Sequence, residues 1–116
     1  MPVIKVWCLP NENEEMLRTL HKAIVKNVVE ISELGLRGEQ DMTVLFPPDQ
    51  MKYGLGSEIV IEILLFDKPE RTTEVLNRLA EKVGTIFCFW YKDAKIEVFV
   101  QTCDPTRGFW TSTNGG

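Results

Sequence analysis

The chain has 116 residues, 44% of them apolar and 26% charged, with a formal net charge of −4. That is enough for one domain with one core and too little for two. An acidic balance excludes the clustered Lys and Arg of a nucleic-acid footprint, and no apolar run reaches the length of a membrane span. The N-terminus carries no charged region followed by an apolar stretch, so no secretory signal is expected and a cytoplasmic location is. Cys8, Cys88 and Cys103 are odd in number and lack C-x-x-C spacing, which fits that compartment. With the single His21 they supply too few ligands at useful spacing for a metal site, and none is expected.

The first element is a β-rich run from Pro2 to Leu9, stopped by Pro10, with Ile4, Val6 and Cys8 on one apolar face. Asn11 and Glu14 then have the form of a helix N-cap box. Leu17, Leu20, Ile24, Val28 and Ile31 recur at spacings of three and four, a buried helical stripe that Gly35 is expected to end. Met42 to Phe46 reads as a short second strand closed by Pro47 and Pro48. A loop containing Tyr53-Gly54-Leu55-Gly56-Ser57 leads to a third strand, Glu58 to Phe66, whose Ile59, Ile61, Ile63 and Leu65 share one face. Asp67 and Glu70 repeat the cap-box form, with Pro69 in the first turn of a second helix. Val75 or Leu76, with Leu79 and Val83, makes its stripe, and Gly84 is its expected end. Ile86 to Tyr91 fits neither helix nor strand cleanly and is left as a short strand or an apolar loop. Ile96, Val98 and Val100 alternate in a fourth strand, and the polar tail 111–116 closes the chain.

The two halves, 2–46 and 58–101, each read strand, capped helix, strand. Each is long enough for a right-handed parallel crossover. The expected architecture of the single domain 1–116 is therefore α+β, a β-α-β-β-α-β tandem repeat forming a four-stranded mixed sheet with both helices on one face. Two architectures share this order of elements, the ferredoxin-like fold of small-molecule sensors and the tautomerase fold, and secondary structure does not separate them.

Several segments bear on that choice. Pro2 follows Met1 at the head of a strand, Pro48-Asp49-Gln50 follows the second strand, Tyr53 to Glu58 forms an aromatic and glycine turn, and Gly108-Phe109-Trp110 lies near the C-terminus. In order and spacing these resemble the tautomerase superfamily, whose two familiar branches are 4-oxalocrotonate tautomerase and macrophage migration inhibitory factor. The resemblance implies removal of Met1 and use of the Pro2 secondary amine as catalytic base, without metal or cofactor. Such an amine in an apolar pocket loses affinity for its proton and is poised near neutrality. The resemblance also implies a homotrimer and a small enolisable carboxylic acid as ligand, while charge and hydropathy lead to the expectation of no nucleic-acid or membrane partner. It puts Arg37 where the cytokine-like branch has its active-site lysine, Tyr53 at a pocket aromatic, and Phe109 and Trp110 at a pocket wall or subunit contact. Arg37 has an equal claim to be a solvated cation at the end of the first helix.

The chain departs from both branches. Glu12 and Met42 stand where the oxalocrotonate branch has arginines, and Glu97 and Phe99 stand nearest the tyrosine and asparagine of the cytokine-like fourth strand. A non-catalytic trimer that binds a ligand or partner, or a ferredoxin-like sensor, is the alternative function.

Overall fold

In the computed structural model, residues 2–10, 12–48 and 57–113 are described. The strands are β1 (Val3–Trp7), β2 (Thr43–Leu45), β3 (Glu58–Phe66) and β4 (Lys95–Cys103), and the helices are α1 (Glu14–Val29) and α2 (Thr73–Trp90). They form one sheet in the order β2-β1-β3-β4. β1 runs parallel to β2, with Val3 opposite Thr43, and β3 runs parallel to β4, with Ile61 opposite Val98. The halves join through an antiparallel β1–β3 ladder in which Ile4 faces Ile63. This order separates the two candidate folds. In a split β-α-β unit the two parallel strands have another strand between them; here each parallel pair is adjacent, as in a tandem repeat.

The alternation in the strands sets the core. Ile4, Val6, Ile59, Ile61, Ile63 and Leu65 are all buried on the helix side of the sheet, because residues two apart share a face. Leu20, Ile24 and Val28 of α1, and Val75, Leu79 and Val83 of α2, meet them. The opposite face carries Lys5, Trp7, Glu62, Leu64 and Phe99, and no layer of the described residues covers it; Leu64 and Phe99 are exposed. Across it Trp7 donates its indole N–H to Glu62 Oε1 at 2.6 Å.

Several element ends differ from the sequence expectation. The α1 cap is Asn13, whose Oδ1 accepts from Met16 N at 2.8 Å; Asn11 lies outside the described residues. The α2 cap is Thr72, whose hydroxyl accepts from Val75 N. Pro69 and Glu70 instead occupy a turn closed by Arg71 N on Lys68 O at 2.9 Å. Gly35 does not end α1. The helix stops at Val29, Ile31 turns extended and buried, and Gly35 caps the 3-10 turn Ser32–Leu34 at φ 69°, a conformation that favours glycine.

Gly84 ends nothing either. It sits inside α2, where an added Cβ would lie 3.2 Å from Val98 Cγ2. Its missing side chain lets α2 pack tightly against β4. Residues 86–90 are accordingly the last turns of α2, with Ile86 and Phe87 in the core and Phe89 and Trp90 outward. At the helix end Tyr91 stacks on Phe87, with centroids 6.3 Å apart, and donates its hydroxyl to Glu12 at 3.1 Å.

Candidate functional site

Pro2 lies at the head of β1, which is flanked by β2 on one side and β3 on the other. It is buried, and its carbonyl accepts from Thr43 N at 2.8 Å. A cavity of about 420 Å³ opens beside it. The segment after α1 contributes Leu34 to Arg37 and Asp41, and the end of β3 with the turn into α2 contributes Phe66, Lys68 and Arg71. Pro2 therefore sits where the first half's helix-to-strand connection meets the second half's strand-to-helix connection.

Three basic side chains and one carboxylate line this cavity. Arg37 extends into solvent, and its backbone N–H (2.8 Å) and Nε (3.4 Å) both donate to Asp41 Oδ2. These hydrogen bonds, the backbone one foremost, hold the Asp41 carboxyl below the usual range. Lys68 is exposed and has no ion-pair partner among the described residues.

Arg71 differs from both. It is 7% exposed, the one charged residue in the core among those described. Its Nη1 donates to Phe66 O at 2.7 Å and its Nη2 to Leu34 O at 3.1 Å, while Nε has no partner. Burial lowers its pKa, with Glu70 opposing, yet a guanidinium stays charged at any ordinary pH. The cavity thus carries excess positive charge at a buried strand head, an arrangement that attracts an anion and disfavours a protonated amine.

Of the residues singled out in the sequence, Pro2 and Arg37 come together in this cavity. Tyr53 lies outside the described residues. Phe109 does not line the cavity but packs on Phe66, which does, at a centroid distance of 4.8 Å. Trp110 is 83% exposed. Phe66, Lys68 and Arg71 were missed. Lys68 and Arg71 read as ordinary charges around a helix start, and Phe66 as the last residue of a strand. The available signal was a cation beside Pro69, in the turn that the tandem repeat brings next to Pro2.

A second, open groove of about 580 Å³ runs along the outer side of the helices, lined by residues that include Ala23 and Asn27 of α1 and Ile86, Phe89 and Trp90 of α2. Among the described residues no cluster of His, Cys, Asp or Glu is placed to hold a metal ion. Nor is any helix among them long and apolar enough to cross a membrane.

No family model matches the chain, and no curated protein matches it in sequence. Solved structures do resemble it. A fused 4-OT, the F6 wild-type asymmetric trimer, superposes with a TM-score of 0.72 at 17% identity, over 95% of this chain and 92% of that one. FG41 malonate semialdehyde decarboxylase, inhibited by 3-bromopropiolate, gives 0.67 at 17% identity over 98% and 91%. Macrophage migration inhibitory factor of Toxoplasma gondii gives 0.65 at 16% identity over 96% and 97%. The chain has the tautomerase fold.

Proposed function

We propose that the protein catalyses cofactor-independent proton transfer on a small enolisable carboxylic acid, with the Pro2 amine as base once Met1 is removed. The observation that carries this function is a buried Pro2 beside a cation-rich cavity at the head of a central strand. The substrate carboxylate is anchored by Arg37, which meets Asp41 only through its Nε and backbone N–H, and by Lys68, which has no ion-pair partner among the described residues. Arg71, with both terminal nitrogens committed to carbonyls, acts through its charge alone. Like charges and burial together depress the amine pKa, so that a neutral secondary amine is present near pH 7. That amine takes the enol O–H proton and returns it to the neighbouring carbon, giving the keto acid with no net gain or loss of protons. Tyr53, Phe109 and Trp110 belong to the surroundings of this site in the proposal, Phe109 through Phe66.

We further propose a homotrimer formed through the uncovered face of the sheet, in a cytoplasmic setting. Exposed Leu45, Leu64 and Phe99 on that side are more apolar surface than a small monomer usually leaves in water.

The test compares protein beginning at Pro2 with protein that retains Met1, which turns the amine into an amide. Ketonisation of enol-phenylpyruvate, followed by ultraviolet absorbance, should fall by about 10²-fold or more in the second, the usual worth of a positioned base. Equal rates in the two proteins, over a range of keto acids, would leave a non-catalytic ligand-binding trimer as the better account.

A further inference from the structure

Phe66 is the one aromatic side chain among the described residues lining the Pro2 cavity, and it is held from two directions. Its backbone carbonyl is fixed by Arg71 Nη1, whose guanidinium also takes Leu34 O on the other wall. Its ring meets Phe109 edge to face, at an interplanar angle of 81°. Neither contact is a by-product of the core. Arg71 is a buried cation with no carboxylate partner among the described residues and an unpaired Nε, which costs stability that an apolar residue would not. What it does achieve is to bolt the end of β3 to the turn after α1, across the cavity.

Phe109 reaches Phe66 by a shaped turn. Phe66 pairs with Cys103 in the β3–β4 ladder, and Asp67 N donates to Cys103 O at 2.9 Å. Asp104 then accepts from Thr106 N and Oγ1 at 2.9 and 2.7 Å. Gly108, at φ 73°, redirects the chain so that Phe109 lies on the ring. An exposed chain end has been folded back onto one side chain of the cavity wall.

We infer that Phe66 is the specificity-determining residue of the Pro2 cavity, and that Arg71 and Phe109 are positioning residues fixing its backbone and its ring. This rests on the cavity being the keto-acid site. A planar side chain on the acid lies against the Phe66 ring while the carboxylate meets the cationic side. A ring immobilised beforehand loses little freedom on binding, so its contact is realised in full. An edge or stacked aromatic contact is worth ~0.5–1.5 kcal/mol, or about 2–12-fold in affinity.

The experiment measures the affinities of phenylpyruvate and pyruvate by calorimetry for wild type, Phe66→Leu, Phe109→Ala, Phe109→Tyr and Arg71→Lys, with turnover followed separately. Preference for phenylpyruvate should fall about 5–10-fold in Phe66→Leu and about threefold in Phe109→Ala and Arg71→Lys. Phe109→Tyr should restore it, and pyruvate affinity should stay constant in the Phe109 variants. Phe109 is half exposed, so its variants keep the test open even where Arg71→Lys folds poorly. An unchanged preference in folded Phe66→Leu and Phe109→Ala overturns the inference, whether or not the wild type turns over. A changed preference without turnover in the wild type refutes the catalytic proposal and leaves Phe66's role standing. Wild type that binds neither acid removes both.

Discussion

Replacing Arg71 with Met tests whether a buried, unpaired guanidinium holds the two halves of this molecule together. Met keeps most of the apolar stem and fills similar space, so packing changes little. The change removes hydrogen bonds from a charged donor to Phe66 O and Leu34 O. At ~1.5–3 kcal/mol each, the gross loss is about 3–6 kcal/mol. Against it stands relief of the buried, unpartnered Nε, ~1–3 kcal/mol. Water entering from the open cavity also re-pairs part of what the carbonyls lose. The net expectation is a destabilisation of about 2 kcal/mol. With a urea slope of ~1–2 kcal/mol per molar for a chain of this size, the midpoint should drop by roughly 1–2 M. Urea unfolding followed by circular dichroism reads this directly, at one fixed protomer concentration because self-association adds to apparent stability. A variant as stable as wild type, with an unchanged slope, would refute the reasoning: desolvation of the cation would then outweigh both hydrogen bonds.

Two further outcomes follow from the same structure. Burial, with the Glu12 charge and hydrogen bond adding to it, raises the Tyr91 pKa above its ordinary value of 10. A raised phenol stabilises the fold while protonated, fully below pH 10, and that contribution is lost as pH rises through the folded value. Tyr91→Phe should therefore lower stability modestly at pH 7 and flatten the alkaline loss in a pH series of thermal melts; an unchanged alkaline limb would detach Tyr91 from it. Phe99→Asp puts a charge on the uncovered sheet face without entering the core. If the wild type forms the proposed trimer, light scattering at micromolar concentration should show the variant as monomer, with the fold intact by circular dichroism; a wild-type mass in the variant would move the subunit contact elsewhere.

Much of the fold was legible from local pattern. The period-two run Ile59, Ile61, Ile63, Leu65 demanded a half-buried strand, and the β3 bounds Glu58 to Phe66 agree with the expectation. The Leu20, Ile24, Val28 spacing demanded a helix facing it. Both signals are intrinsic to backbone geometry, so the sequence carries them without any partner. The position of Pro2 at the head of the first strand was equally readable in one dimension.

Only tertiary structure decided the rest. Gly84 has the identity of a helix stop, yet close approach to Val98 makes it an interior residue, because packing between α2 and β4 outweighs the roughly 1 kcal/mol helix penalty of glycine. The ferredoxin-like alternative fell to strand order, which depends on pairing between residues some 60 positions apart, as in Val3 with Leu64. The candidate site had the same character. Arg37 and Pro2 drew notice because each stands beside a recognisable segment. Phe66, Lys68 and Arg71 reach the cavity beside Pro2 only once antiparallel β1 and β3 bring the start of one half against the end of the other half's strand. Periodicity fixes which face of a strand is buried, but it carries no information about which distant turn closes over its end.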